Sequence, residues 1–398
     1  MAHKHIKKST QIIIAAVAVV FILMIWSAYY QQRAIEGGRQ PAVNTAGPIQ
    51  IGAIIPLSGD VAAVGMPIKK AAELALEEIN KSGGINGRQL RLNIRDGRCD
   101  AREAVNAAET LITIDHVPII FTGGCSSETL AVAPLAERSR VILFSPSATS
   151  PEITNAGEYV FRNAPSDASQ GRLLAEAAFA RGYQKVGVLQ EQTDYAVGIS
   201  IIFSARLKEL GGSVQVETYR SDAVNVRDEL ANLKNVGIDA LLFVVQSPAK
   251  ADLILNQLHE SEWHLPLLTN DVSLGASSFM DERYADTTEG LIAANLGVNE
   301  KNPLYQEFLK KYREAYGEEV TFPLYAALSY DAIYLLRDAI LKNGLNPENI
   351  RAYLMSVKDR PGAGGTLTFD KNGDPVAGHV LKQIVNGKLV EAEVKPKS

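Results

Sequence analysis

From Ile49 onward the chain alternates short apolar runs with amphipathic stretches of helical period, and this alternation limits the fold more than any other feature. Gln50-Ile-Gly-Ala-Ile-Ile-Pro56 reads as a buried strand, followed by a loop over 57–65 and a helix from about Met66 to Ser82. That helix sets Ala71, Ala72, Ala75, Leu76 and Ile79 on one face and Lys69, Lys70, Glu73, Glu77 and Glu78 on the other. Gly83-Gly-Ile-Asn-Gly87 ends it as a glycine cap and turn. A strand over 88–95, a helix over 102–114, a strand over 118–121, a helix over 128–138 and a strand over 141–144 continue the series. A second series starts after Pro165-Ser-Asp-Ala-Ser169. It comprises helices over 169–181, 197–210, 226–235 and 248–260, with strands over 185–189, 213–218, 240–245 and 265–269. Helices over 302–315, 323–342 and 347–356 precede an extended C-terminus, which turns at Asp370-Lys-Asn-Gly373. Repeated β–α units predict the α/β class, with mostly parallel sheets covered by helices on both faces. A chain of 398 residues is long enough for two lobes with separate cores.

The first thirty residues are different material. Lys4, Lys7 and Lys8 precede a run from Ile12 to Trp26 without a polar side chain, and the apolar character continues to Tyr30. As a helix, 12–30 would span about 28 Å, close to the hydrocarbon thickness of a bilayer. The expectation is a transmembrane anchor at 1–30 that leaves the lysines cytoplasmic and the folded part outside. A cleaved signal peptide is the competing reading, although neither Ala28 nor Ala34 completes a good small-x-small site. Residues 31–48 are polar, lack periodicity and read as a flexible tether. The two cysteines, Cys99 and Cys125, both sit in turn-like settings. On an exported chain a single pair is most simply a disulfide; in a reducing compartment the same residues would be free thiols.

Two apolar strands end alike. Phe121-Thr-Gly-Gly-Cys-Ser-Ser-Glu128 and Phe144-Ser-Pro-Ser-Ala-Thr149 both run from a buried strand into small, hydroxylated residues just before an expected helix start. Backbone N–H groups and hydroxyls there can converge on an anion without a buried countercharge. In an open α/β sheet the crevice beyond the strand ends is where ligands bind. The expectation is capture of a small molecule that bears a carboxylate. The competing reading is ordinary N-capping, for which Ser126 or Ser127 ahead of Glu128 is well suited.

Other function classes lack support in the residues. A net charge of −5 argues against a general nucleic-acid binder. The six histidines form no metal-ligand spacing, so neither a metal nor a cofactor is expected. No Gly-x-Gly-x-x-Gly follows the first strand, and phosphate-loop and Gly-x-Ser-x-Gly motifs are absent, so no enzymatic activity is expected.

Taken in order, several landmarks resemble the type I periplasmic solute-binding proteins of amino-acid ABC importers, in particular the leucine/isoleucine/valine-binding branch. They are Ile51-Gly-Ala-Ile-Ile-Pro-Leu-Ser-Gly59, Gly83-Gly-Ile-Asn-Gly87, Asp96 to Asp100, Gly124-Cys-Ser-Ser127, Phe144 to Thr149, Asp194-Tyr195 and Tyr325-Ala-Ala-Leu-Ser-Tyr-Asp331. The resemblance implies two Rossmann-like lobes joined by three hinge crossovers, with the ligand enclosed between them. Lobe I would comprise 49–166 and 295–370, and lobe II 167–294 and 371–398. It implies that Cys99 pairs with Cys125, and that Ser126, Ser147 and Thr149 hold the ligand carboxylate. It places Asp271 at the ligand ammonium, Tyr195 as a closing aromatic, and Gln246 with Ser247 near the side chain. For Asp271 the competing role is an N-cap for 277–279.

Where the family often has an aromatic on its first loop, this chain has Ala62, Ala63 and Val64, and Val320 stands at another commonly aromatic position. The side-chain pocket, with Val64 on its wall, is expected to be larger and less aromatic. The implied partners are a small amino-acid-like ligand and the membrane permease of an ABC importer, with the chain a monomer. The alternative is a membrane-tethered sensor that presents ligand occupancy to a receptor.

Overall fold

The computed structural model describes residues 47–297 and 299–394. The anchor expected at 1–30 lies outside them, as does all of the tether except its last two residues. Among the described residues no helix is long and apolar enough to cross a membrane.

The first sheet is entirely parallel. Strand β1 (Ile49–Ile55) leads through helix α1 (Ala62–Lys81) to β2 (Leu90–Asp96), and α2 (Ala101–Thr113) leads to β3 (Ile119–Thr122). Helix α3 (Ser126–Ser139) then precedes β4 (Ile142–Ser145) and the short β5 (Val160–Arg162). The order across the sheet is β2-β1-β3-β4-β5. Its central strands are mostly apolar and buried, with polar residues only at Gln50, Thr122 and Ser145, as a parallel sheet covered on both faces requires.

After β5 the chain crosses to the second lobe. Helix α4 (Asp167–Ala180), β6 (Lys185–Glu191), α5 (Asp194–Glu209), β7 (Ser213–Tyr219), α6 (Arg227–Asn235), β8 (Ala240–Val244), α7 (Pro248–Glu260) and β9 (Leu267–Thr269) follow in sequence. A run of short 3-10 turns leads to β10 (Ile292–Leu296). The chain then returns to the first lobe as α8 (Pro303–Tyr316), α9 (Pro323–Asn343) and α10 (Pro347–Met355). Helix α9 packs along α1, and Ser329 Oγ donates to the Ile68 carbonyl at 2.7 Å. A third crossing brings the chain back to the second sheet as the antiparallel hairpin β11 (His379–Val385) and β12 (Lys388–Ala392). That sheet has the order β12-β11-β10-β9-β8-β6-β7.

The three crossings run side by side. Asn163 and Pro165, Leu296 and Gly297, and Pro375, Ala377 and Gly378 all line one small crevice, and Gly297 N–H donates to the Gly378 carbonyl at 3.1 Å. Arg162, fully enclosed at the end of β5, ties the third crossing to the first lobe. Its guanidinium donates to both carboxylate oxygens of Asp374, at 2.7 and 2.8 Å, and to the Ser150 carbonyl at 2.7 Å.

Two boundaries differ from the sequence reading by more than two residues, and two strands are new. Helix α1 starts at Ala62 rather than Met66, so the positions read as loop form its first turn; alanine carries the highest helix propensity. Helix α5 starts at Asp194 because the Thr193 hydroxyl accepts the Ala196 N–H at 3.1 Å and caps it there. Strands β5 and β10 had no counterpart in that reading. The first is too short to show a period, and the Ala-Ala-Asn of the second has low strand propensity.

Candidate functional site

The strand-tip loops read from the sequence lie together. Cys99 and Cys125 form a disulfide that joins the loop after β2 to the loop after β3. Ser126 does not cap its own helix; its hydroxyl accepts the Ser150 N–H at 3.1 Å and so links the loop after β3 to the loop after β4. In that second loop Ser145 Oγ accepts the N–H groups of Ser147 and Ala148, at 3.3 and 2.9 Å. Ser147 Oγ and Thr149 Oγ1 are buried without a well-formed hydrogen bond.

On the other lobe, Asp271 follows β9 and opens a 3-10 turn. It does not cap residues 277–279: the Ser277 and Ser278 N–H groups go to Asp252 instead. The Asp271 carboxylate is held from both lobes. Tyr195, at the start of α5, donates its hydroxyl to Oδ1, and Tyr325, on α9 of the first lobe, donates to Oδ2, each at 2.5 Å. Asn270 Nδ2 donates to the Tyr195 oxygen at 2.9 Å and fixes the ring.

A second carboxyl stands beside it. Asp167, the first residue of α4 after the first crossing, is joined to Asp271 through Gln170, whose Nε2 donates to one oxygen of each at 3.1 and 3.2 Å. Burial, with the Asp271 charge next to it, pushes the Asp167 carboxyl well above the usual carboxylate range. Burial and the same charge raise the Tyr195 and Tyr325 phenols. Thr149 leans toward Asp167 and Tyr325. His379, at the start of β11, donates to or accepts from Ser169 Oγ through Nδ1 at 2.6 Å, and its Nε2 lies 3.8 Å from Asp167. Burial lowers this imidazole to about 4, so it is neutral at pH 7 and supplies no countercharge.

Among the described residues, no Lys or Arg side chain hydrogen-bonds either carboxyl. Asp167 Oδ2, Gln170 Oε1, Thr149 Oγ1 and His379 Nε2 are all buried without a well-formed hydrogen bond. Buried polar atoms are nearly always hydrogen-bonded, so their concentration here leaves the hinge region under-satisfied.

Asp271 and Tyr325 face a cleft cavity of about 840 Å³ between the lobes. Ala62, Ala63, Met66 and Pro67 of α1, Val320 and Phe322 of the segment before α9, and Leu274 and Gly275 of the second lobe line it further. The aromatic lining comes from Tyr305, Tyr312, Phe322 and Tyr325, outside the first loop. Phe322 adopts a left-handed backbone (φ 65°), an uncommon and costly state for a bulky residue. Its ring reaches Gly275, where an added Cβ would fall 2.6 Å from Cζ. Gly198 of α5 likewise lies against Pro151, with an added Cβ 2.8 Å from Cδ. At the rim, Lys250 of α7 pairs with Asp60 at 3.8 Å. The lobes are therefore in contact around the cavity.

Not every residue singled out from the sequence lines that cavity. Val64 is buried on α1, Gln246 is buried with its N–H donated to Glu191 at 2.7 Å, and Ser126, Ser147 and Thr149 are buried and outside the lining. The sequence reading missed Asp167, Gln170, Tyr325 and His379 as members of the site. Asp167 and Tyr325 fall inside quoted stretches, Pro165 to Ser169 and Tyr325 to Asp331, but those served only as landmarks.

The sequence pattern of the periplasmic binding protein family matches residues 48–388. A Leu/Ile/Val-binding protein homolog of Brucella suis is 27% identical over 342 residues, 84% of this chain and 89% of that one. A leucine binding protein from Thermotoga maritima superposes with a TM-score of 0.77 at 27% identity, covering 87% of this chain and 98% of that chain. The branched-chain amino acid transporter substrate binding protein of Streptococcus pneumoniae, solved with isoleucine, gives 0.74 at 27% identity over 87% and 99%.

Proposed function

The chain belongs to the periplasmic binding protein family, and from that premise we propose that it captures an amino acid or a closely related small zwitterion outside the cytoplasm and delivers it to an ABC-type importer. The observation that carries this reading is the Asp167–Asp271 pair: two buried carboxyls bridged by one amide, with no basic side chain bonded to either. An α-ammonium brings the missing charge and three N–H donors. The ligand carboxylate goes to the hydroxyl-rich strand tips, where the Ser126, Ser147 and Thr149 hydroxyls can donate to it, the Ser147, Ala148 and Ser150 N–H groups being already held by Ser145 and Ser126.

The mechanism is hinge closure about the three parallel crossings. A ligand that touches both lobes stabilises the closed form by its differential contacts. Tyr325 and Tyr195 belong to different lobes yet meet on one carboxylate, so an ammonium at Asp271 would be sensed by both. Leu/Ile/Val-binding relatives support an amino acid as ligand. The sensor alternative draws no support from them.

The test is calorimetry and thermal denaturation of the purified protein against the twenty amino acids. At least one should give saturable heat and raise the melting temperature. Silence from all twenty would end the amino-acid reading.

A further inference from the structure

The cavity is large for a branched aliphatic side chain. About 150 Å³ suffices to hold a benzene-sized group, and pockets of roughly 300–1,000 Å³ enclose drug-sized ligands; this one measures about 840 Å³. Ala62, Ala63 and Val320 are among the small or short side chains that line it.

The wall on α8 is built to be met by something polar. Tyr305 and Tyr312 both line the cavity, and seven residues of α-helix set them two turns apart on one face, about 10 Å along the axis. Both rings are buried, 4% and 1% exposed, yet among the described residues neither hydroxyl has a hydrogen-bond partner. Glu300 and Glu318 line the same cavity, and their charges act on Tyr305 and Tyr312 respectively. Lys70, the one basic residue in the lining, already pairs with Glu318 at 2.6 Å and lies over the Tyr316 ring. The wall therefore has hydroxyl and carboxylate oxygens to accept hydrogen bonds, set around an apolar waist of Met66, Pro67 and Phe322.

We infer that the cleft selects an α-amino acid whose side chain is bulky and ends in a hydrogen-bond donor, which reaches Tyr305 and Tyr312, in preference to a short branched aliphatic one. This rests on the amino-acid reading above and narrows it. A hydroxyl-lined wall discriminates strongly against a ligand that leaves it dry, because the polar groups then lose their hydrogen bonds.

The test titrates the full chain with L-leucine, L-isoleucine, L-valine, L-phenylalanine, L-tyrosine, L-tryptophan and L-arginine by calorimetry. At least one of tyrosine, tryptophan and arginine should bind at least tenfold more tightly than leucine. The best of these should lose at least tenfold in the double variant Tyr305→Phe/Tyr312→Phe, which keeps both rings, and the single variant Tyr312→Phe gives a second reading. Leucine, isoleucine or valine binding as tightly as the best of the three overturns this inference and leaves the amino-acid reading intact. An unchanged affinity in both variants also overturns it. Binding by none of the seven or of the remaining amino acids overturns the reading beneath it.

Discussion

Tyr325 of the first lobe donates its hydroxyl to Asp271 of the second at 2.5 Å, so one hydrogen bond spans the cleft at the point where a ligand cation is proposed to sit. Replacing the carboxylate by an amide keeps the shape and removes the charge. Asp271→Asn should weaken ligand binding by about 2–5 kcal/mol, the range for losing one partner of a buried charged pair. Tyr325→Phe should cost less, about 1.5–3 kcal/mol, as expected for a hydrogen bond to a charged group. Calorimetric titration with the best-binding amino acid checks both, and equal affinity in Asp271→Asn and the parent would remove Asp271 from the site.

Ligand binding should release protons. Burial and the adjacent Asp271 hold the Asp167 carboxyl well above its ordinary range, so without ligand it keeps its proton to higher pH than an exposed carboxyl does. An ammonium placed beside the pair favours the ionised form and lowers that pKa. Affinity should then rise with pH between the bound and free values. Titrations in buffers of different ionisation enthalpy measure the release directly. A binding heat independent of buffer, in both the parent and Asp167→Asn, would contradict it.

Arg162→Met should destabilise the fold by about 3–5 kcal/mol, since it leaves the mostly buried Asp374 carboxylate without its partner. Because the pair ties the third crossing to β5, the variant should also change the spread of lobe orientations in solution. Denaturant titration reads the first effect and small-angle scattering the second. A loss below about 1 kcal/mol, the level of an exposed pair, would mean that the contact does little for the hinge.

Glu128 gives a pH signature near the disulfide. Burial pushes its carboxyl up to about 8, and one oxygen accepts the Cys99 N–H at 3.0 Å. The folded state therefore holds this proton over a range in which the unfolded chain, titrating near 4.5, has already lost it. Its stabilising contribution is complete below pH 4.5 and declines as pH rises through 8, with a slope of at most about 1.4 kcal/mol per pH unit. Glu128→Gln should match the parent near pH 4.5 and exceed its stability near pH 8.5. Melting curves across that interval check it; parallel pH profiles would show that Glu128 is ionised in the fold.

Strands and helices with a strong period were legible in the sequence because burial on one or both faces imposes that period on the residues. The run from β1 to β4 is an example: every residue of β3 and β4 is buried. Strand β5 was not legible, since three residues cannot display a repeat. Asp271 was placed by the family resemblance, at a position just past a strand. Asp167 fell in the Pro165–Ser169 stretch ahead of the helix read over 169–181, and its setting arises only when Asp271 and His379, from distant parts of the chain, join Gln170 around it. His379 was invisible for the same reason, as it belongs to a hairpin that follows the third crossing. Local chemistry can nominate a loop; which side chains converge behind it is fixed by tertiary topology.

The threefold passage of the backbone between lobes has a consequence for how the molecule is made. The first sheet is finished at Arg162, but its face is covered by α9, which ends at Asn343. The second sheet lacks its β11–β12 border until Ala392. A polypeptide emerging from its N-terminus therefore exposes apolar surface on both halves until Ala392 is available. Neither half can shut on its own stretch of chain, so both wait for the same late hairpin.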